Sequence, residues 1–175
     1  IINNCTFENN NASRLGGAVY LQQNHDVTFN DSYFKSNVAG YHGGAVMFNK
    51  GAENEKITDC TFEDNVAAIN GGAVLWDEGA TNGTVDNCEF INNTAMRNGG
   101  AIFWNGINGT IKNTKFDNNR ATGENWEYNL TVNMGDKIVV GENGTLTLGN
   151  IVVLQQDYMP IVQSVIASYK DKLDL

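Results

Sequence analysis

The chain has 175 residues and carries a net charge of −9 at neutral pH. This acidic balance argues against nucleic-acid binding and against attachment to an anionic membrane surface, because both need a basic face. No apolar run is long enough to insert into a membrane as a spanning helix. The 27 asparagines, 19 glycines and single proline would indicate disorder in a chain without repeats.

A repeat, however, organises the first two thirds of the chain. The tetrapeptide G-G-A-[VI] occurs at residues 16–19, 43–46, 71–74 and 99–102, in steps of 27, 28 and 28 residues. A phenylalanine stands nine residues before each tetrapeptide, and another begins a fifth, partial copy. These residues are Phe7, Phe34, Phe62, Phe90 and Phe116. Because the chain opens inside a repeat, we expect it to be part of a longer protein.

Polar positions keep the same phase as the phenylalanines. Three residues after each phenylalanine comes an asparagine, giving the column Asn10, Asn37, Asn65, Asn93 and Asn119. Three residues before it comes asparagine or aspartate, giving Asn4, Asp31, Asp59, Asn87 and Asn113. The segment after each G-G-A-[VI] varies in length and is rich in Asn, Gly, Asp and Glu, which predicts a turn that projects into solvent.

The spacing within each copy predicts strands. Apolar residues alternate over short distances, as in Cys60 and Phe62, and frequent glycine and asparagine disfavour helices. Leucine-rich repeats have a similar period but need a leucine lattice that this sequence lacks. The remaining solution is an all-β solenoid, a parallel β-helix of about five coils of 26–28 residues.

In such a solenoid each residue stacks on its equivalent roughly 4.8 Å away. The phenylalanine column is then a stacked core. The two polar columns become ladders at the corners, where side-chain amides bond along the stack and asparagine accepts a left-handed backbone. Asn10, Asn37, Asn65, Asn93 and Asn119 are therefore predicted as structural residues.

The rest of the chain loses this phase. We divide it into repeats at 1–122, an irregular terminal β segment at 123–155 and a C-terminal amphipathic helix at 156–175. The middle segment suggests irregular final coils or a hairpin packed on the stack. The helix follows Pro160, with apolar residues at helical spacing, and could cap the open end of the solenoid.

The combination F-x-x-N with G-G-A-[ILV] resembles the repeat of chlamydial polymorphic outer membrane proteins. The longer form at residues 2–12 also resembles adhesin-like surface proteins of gut methanogens. The resemblance covers about residues 1–122 and ends where Asn125-Trp126 stands in place of Gly-Gly. It implies a right-handed β-helix and a surface-exposed segment used for attachment, and it carries over no catalytic residue.

Candidate catalytic and metal-binding residues do not converge in the sequence. Cys60 and Cys88 occupy one column, and we expect reduced, core-filling thiols there, with an inter-coil disulfide as the alternative. No cysteine and histidine spacing fits zinc, no acidic loop fits calcium, and no cofactor is expected. His25 and His42 are expected at the surface or at a corner.

Carboxylates would matter if the chain were a polysaccharide lyase or hydrolase, as many β-helix proteins are. Asp31, Asp59 and Asp64 would be the residues to test. No acidic pair stands out from the repeat, and the arginines Arg14, Arg97 and Arg120 are scattered along the sequence.

The residues after each G-G-A-[VI] predict an aromatic strip. Alternation along a strand turns one of two columns outward, either Tyr20, Met47, Leu75 and Phe103 or Leu21, Phe48, Trp76 and Trp104. The second column ends in two tryptophans that could stack on sugar rings or on a partner protein, so Leu21, Phe48, Trp76 and Trp104 are the candidate binding residues.

The sequence therefore favours a non-enzymatic, extracellular or cell-surface adhesin-like segment. It would be a rigid scaffold that presents a binding surface to a glycan or protein on a host cell or microbe. The alternatives are a carbohydrate-active β-helix enzyme and a purely structural stalk.

Overall fold

A computed structural model of the protein describes residues 1–121, and beyond them the backbone of 139–140 and 146–154. The repeats fold as a parallel β-helix, as predicted. Each of the first four copies completes one coil of four short strands, and the fifth contributes a partial coil. The expected number of about five coils is thus four complete turns and part of a fifth.

The strands are two to three residues long except near the end of the stack. The first coil holds β1 (Ile2–Asn3), β2 (Thr6–Glu8), β3 (Asn11–Ala12) and β4 (Val19–Leu21), and the second β5 (Thr28–Asn30), β6 (Tyr33–Lys35), β7 (Val38–Ala39) and β8 (Val46–Phe48). The third holds β9 (Lys56–Thr58), β10 (Thr61–Glu63), β11 (Val66–Ala67) and β12 (Val74–Trp76). The fourth holds β13 (Thr84–Asp86), β14 (Glu89–Ile91), β15 (Thr94–Ala95) and the start of β16 (Ile102–Lys112), and β17 (Lys115–Asp117) and β18 (Arg120–Ala121) follow.

These strands form three parallel sheets in which every residue pairs with its repeat equivalent. Strands β2, β6, β10, β14 and β17 form the second sheet, and β3, β7, β11, β15 and β18 form the third. The first, ten-stranded sheet contains two strand columns, which the long strand β16 joins. The register places Phe62 between Phe34 and Phe90 and Ala67 between Ala39 and Ala95.

The variable segments explain why β16 is long. In the second and third coils residues 49–52 and 77–80 form turns, in which Ala52 and Ala80 donate backbone hydrogen bonds to Asn49 and Asp77 at 3.0 Å. The glycine before each of these alanines has φ of +83°, as a type II turn requires. The fourth coil has two residues fewer between Trp104 and Ile111, so its strand continues through this region without a turn.

Left-handed backbone at the corners explains the asparagine and aspartate content. Fifteen residues other than glycine have φ between +46° and +62°. Asparagine and aspartate tolerate this conformation better than other residues with a side chain. Most of the fifteen form three columns: Asn4, Asp31, Asp59, Asn87 and Asn113; Asn9, Ser36, Asp64, Asn92 and Asn118; and Asp26, Asn54, Asn82 and Asn108.

The glycine pair is required because neighbouring coils approach closely there. The first glycine has a left-handed backbone, with φ of +68° at Gly71. A Cβ on the second, Gly72, would lie 1.9 Å from the carbonyl oxygen of Gly100 and 2.7 Å from the backbone of Thr94. Only glycine fits at this position, and the same clash arises at Gly17 and Gly44.

The core is a stack of aromatic rings along the axis of the solenoid. Phe62 lies parallel to Phe34 and Phe90, with ring centroids 4.6 and 4.8 Å apart, and the stack continues to Phe7 and Phe116 at its ends. Aliphatic residues of the first sheet, such as Ile57 and Val85, pack against it and are fully buried.

Two strands beyond the repeats add to the first sheet. Strand β20 (Leu146–Leu154) pairs antiparallel with β16 along most of its length, and β19 (Val139–Val140) pairs antiparallel with β20. The described residues of the segment 123–155 thus form an antiparallel pair of strands, and the rest of this segment lies outside the described residues. The helix predicted at 156–175 lies outside the described residues.

We predict that Phe62→Ala destabilises the protein by about 3–5 kcal/mol, because truncation of a fully buried ring leaves a cavity in a packed stack. Urea unfolding followed by circular dichroism measures this change. Glu63→Ala, on the outward side of the same strand, is the control and should cost far less. A cost near zero for Phe62→Ala would contradict the stacked core.

We predict that Gly72→Ala costs about 3 kcal/mol or more, because the added methyl group meets backbone atoms that cannot move without separating two coils. Gly79→Ala is the control. Gly79 has a left-handed backbone, which Gly72 does not, so alanine is strained there, but its Cβ would meet only the flexible Lys50 side chain at 3.5 Å. If Gly72→Ala cost no more than Gly79→Ala in thermal unfolding, contact between coils would not be the reason for glycine at position 72.

Candidate functional site

The predicted aromatic strip is in the core and not on the surface. Phe48, Trp76 and Trp104 are at most 1% exposed. The ring of Trp76 stacks on those of Phe48 and Trp104, with centroid distances of 4.6 and 4.2 Å. Leu21 is half-buried and packs against the same cluster. The expectation that this column is an exposed binding strip is therefore wrong, and Trp76 and Trp104 act as a second aromatic stack.

Glycines in the variable segment make room for the two indoles. A Cβ on Gly83 would lie 2.6 Å from Nε1 of Trp76, and one on Gly109 would lie 2.2 Å from the ring of Trp104. The equivalent residues beside the smaller Leu21 and Phe48 are Val27 and Glu55. A larger side chain in the aromatic column is thus matched by a smaller residue in the variable segment of the same coil, so the interior stays filled without overcrowding.

The other column, Tyr20, Met47, Leu75 and Phe103, points away from this core. Tyr20 is 39% exposed, but Met47 and Leu75 are only 3% and 2% exposed. Within the described residues this column is therefore not a continuous exposed apolar strip. Neither of the two columns considered in the sequence forms the flat aromatic surface that was expected.

The predicted asparagine ladder is confirmed, and its side chains lie inside the stack. The Nδ2 group of Asn65 donates to Oδ1 of Asn93 at 2.9 Å and to the carbonyl of Phe34 at 3.0 Å. Its Oδ1 accepts from the backbone N–H and from Nδ2 of Asn37. Every hydrogen-bonding position of this buried amide is thus used. The left-handed residue at this corner is the preceding one, Asp64, and not the ladder asparagine.

The cysteines belong to a column of small residues at another corner of the coil, two positions before the phenylalanine column. Cys60 Sγ and Ser32 Oγ donate to the carbonyls two residues earlier, at 3.0 and 2.8 Å. Cys60 and Cys88 are buried and free, and Cys5 is exposed and free. A hydrogen bond with Cys60, together with burial, raises the pKa of the Cys88 thiol. Both thiols are buried in the core, where they fill space between the coils.

The carboxylates considered for catalysis do not meet in a cleft. Asp31 and Asp59 stack in one exposed corner column, and Asp59 accepts a hydrogen bond from Asn87 at 2.6 Å. Asp64 lies in a different corner column. Within residues 1–121, no group of three or more histidine, cysteine or acidic side chains could hold a metal ion.

The two histidines occupy different environments. His25 is exposed and lies 3.3 Å from Glu53. His42 is half-buried, and burial lowers its pKa. Its place in the column is filled by Asn70 and Asn98 in the next two coils, so its position is a corner position.

A buried glutamate was not foreseen. Glu55 is 1% exposed, and neither carboxylate oxygen has a hydrogen-bond partner. Burial raises its pKa from 4.5 to about 7, and the charge of Asp26 adds to this effect. The repeat position of Glu55 could have revealed it. The equivalent residues of the other coils are uncharged, and they are Val27, Gly83 and Gly109.

Folding also gathers the arginines that are scattered in the sequence. Arg14 and Arg97 lie in one column, with Tyr41 and Ile69 between them. The backbone N–H of each residue after Arg14 donates to the carbonyl of the residue before it in the column, at 2.7 to 2.8 Å. Arg120 lies beside this column on the third sheet, where it pairs with Thr94. All three arginines are exposed.

These features define a solenoid scaffold. Its repeated residues have structural roles, because they form the aromatic stacks, the amide ladder and the close contacts at glycine. The family model of the Chlamydia polymorphic membrane protein repeat matches residues 4–22, 59–75 and 87–103. These three segments are therefore similar to the polymorphic membrane protein repeat. No curated protein and no solved structure matches the chain significantly.

The described residues contain no helix that is long and apolar enough to cross a bilayer.

We predict that Glu55 makes the protein less stable as the pH rises. Since its folded pKa of about 7 exceeds the unfolded value, the folded state holds the proton more tightly, and stability falls between about pH 4.5 and pH 7. The loss is up to about 3 kcal/mol. Glu55→Gln should remove this dependence and be more stable than the parent at pH 8. Urea midpoints across this range measure both effects.

His42 titrates in the same range with the opposite sign, because its lowered pKa costs stability as the pH falls below about 6.5. The comparison is therefore made in a His42→Asn background. Glu53→Gln, which changes an exposed carboxylate near Glu55, is the control and should keep the fall. A flat stability profile of the His42→Asn protein would contradict the raised pKa of Glu55.

Proposed function

We propose that the chain is a non-enzymatic, cell-surface or secreted adhesin-like segment. It acts as a rigid scaffold and presents a binding surface to a glycan or protein of a host cell or microbe. The observation that carries this proposal is the unbroken in-register stack. Aromatic, amide and backbone ladders run through every coil, so outward side chains stand in fixed rows about 4.8 Å apart.

The repeat family supports the same reading. Its name describes membrane proteins, and the resemblance of the F-x-x-N and G-G-A-[VI] positions to outer membrane repeats favours a location at the cell surface. In the described coils these positions are occupied by structural side chains. Function then rests on the residues that vary from coil to coil.

The test is binding of the purified chain to an array of surface glycans and to a panel of cultured cells. We expect saturable binding by the parent protein and loss of binding by Gly72→Ala, which separates the coils while leaving the outward side chains unchanged. Gly79→Ala is the control and should bind as the parent does.

The Trp76→Ala and Trp104→Ala variants do not serve as surface variants, because they remove buried rings and should unfold the stack. If the parent protein bound neither glycans nor cells, the chain would be a structural stalk, and the proposed binding function would be wrong. Cleavage of any array glycan by the parent protein would instead favour the enzyme alternative.

A further inference from the structure

We infer that the third sheet and the corner after it form an arginine face that binds an acidic, partly apolar segment of a partner protein. This inference rests on the proposed binding function and names the surface and the partner's chemistry. The arginine face is defined by the outward residues of segments 11–14, 38–41, 66–69 and 94–97 and by Arg120.

Charge is divided unevenly around the coil. The stretches 10–21, 37–48, 65–76 and 93–104 contain no aspartate or glutamate, although the chain has 20 acidic residues. The same stretches, with Arg120 in the fifth coil, hold all three arginines of the chain. The arginine face is therefore a basic strip on an acidic protein, and it would attract an acidic partner.

The lysines do not share this arrangement. Lys35, Lys112 and Lys115 lie on the other sheets and pair with Glu63, Asp86 and Glu89 at 3.3, 2.9 and 3.8 Å. Arg14 instead lies over the ring of Tyr41, 5.5 Å from its centroid. Arg14 is exposed in this contact, and an exposed guanidinium can bind a carboxylate in bidentate fashion.

Apolar side chains accompany the arginines. Val38, Tyr41 and Met96 are 37%, 44% and 54% exposed, and all three lie on the arginine face. Val66 and Ile69 between them are half-exposed. Arginine, tyrosine and methionine are enriched, and acidic residues and lysine depleted, in protein–protein interfaces.

This composition selects a protein over an anionic polysaccharide. A sulfated or sialylated glycan offers charge but little surface for valine, isoleucine and methionine to bury. A peptide that combines carboxylates with aliphatic or aromatic side chains satisfies both parts of the face. Arg14 and Arg97 lie three coils apart, roughly 14 Å at 4.8 Å per coil, a distance that a short extended peptide spans.

The experiment measures binding of the immobilised full chain to defined probes. The first probe is a peptide that alternates glutamate with leucine, the second alternates glutamate with serine, and the third is heparin. Variant one replaces Arg14, Arg97 and Arg120 with glutamine, and variant two carries Tyr41→Ser and Met96→Ser. The matched control replaces Lys50, Lys56 and Lys115 with glutamine, which changes the net charge equally on other surfaces.

We expect the glutamate–leucine peptide to bind best, and its affinity to fall by about tenfold or more in each of the two variants. The lysine control should bind within about twofold of the parent, and added salt should weaken binding. Circular dichroism shows whether each variant keeps the fold, and unfolded variants are replaced by the single substitutions.

Three results would overturn the inference. Binding that survives the arginine variant would place the site elsewhere. Equal binding of heparin, unaffected by Tyr41→Ser and Met96→Ser, would identify an anionic polysaccharide as the ligand class. Binding of the chain to cells without binding to any probe would refute the acidic-peptide ligand and leave the proposed function standing, whereas absence of both would refute both.

Discussion

The structure depends on the constraint that each residue stacks on its own equivalents in the coils on either side. A phenylalanine that repeats, such as Phe62, finds parallel rings at 4.6 and 4.8 Å. A buried amide such as that of Asn65 has all its hydrogen bonds satisfied only because the next coils also carry asparagine there. One constraint thus sets the core, the polar interior and the places where only glycine fits.

This constraint decides what could be predicted from the sequence. Columns whose chemistry requires identical neighbours are visible as a period, and so the parallel β-helix, the phenylalanine stack and the ladder through Asn37 and Asn93 are all confirmed. The direction of the tryptophan column was not predictable from alternation, which allows two assignments. It is decided by interior volume, through Gly83 and Gly109, and these residues lie in the segment whose length varies.

The arginines and Glu55 were missed for a related reason. A solenoid brings together residues that share a position in the coil, however far apart they lie along the chain, and Arg14 and Arg97 share such a position. The acid-free stretches and the lone carboxylate of Glu55 become visible only when charged residues are compared at the same position of successive coils. Outward positions need not carry similar residues from coil to coil, because their side chains meet solvent and any polar residue is tolerated there.

The antiparallel strand β20 covers the outer edge of β16 in the first sheet. The outer edge of β16 has its hydrogen-bonding groups engaged by a strand of opposite direction, so a further parallel coil cannot pair with the first sheet there. An unpaired strand edge is a template for pairing with another chain, and β20 occupies this edge of the first sheet. Protection of the β16 edge against pairing with a second molecule is thus built into the topology of the first sheet.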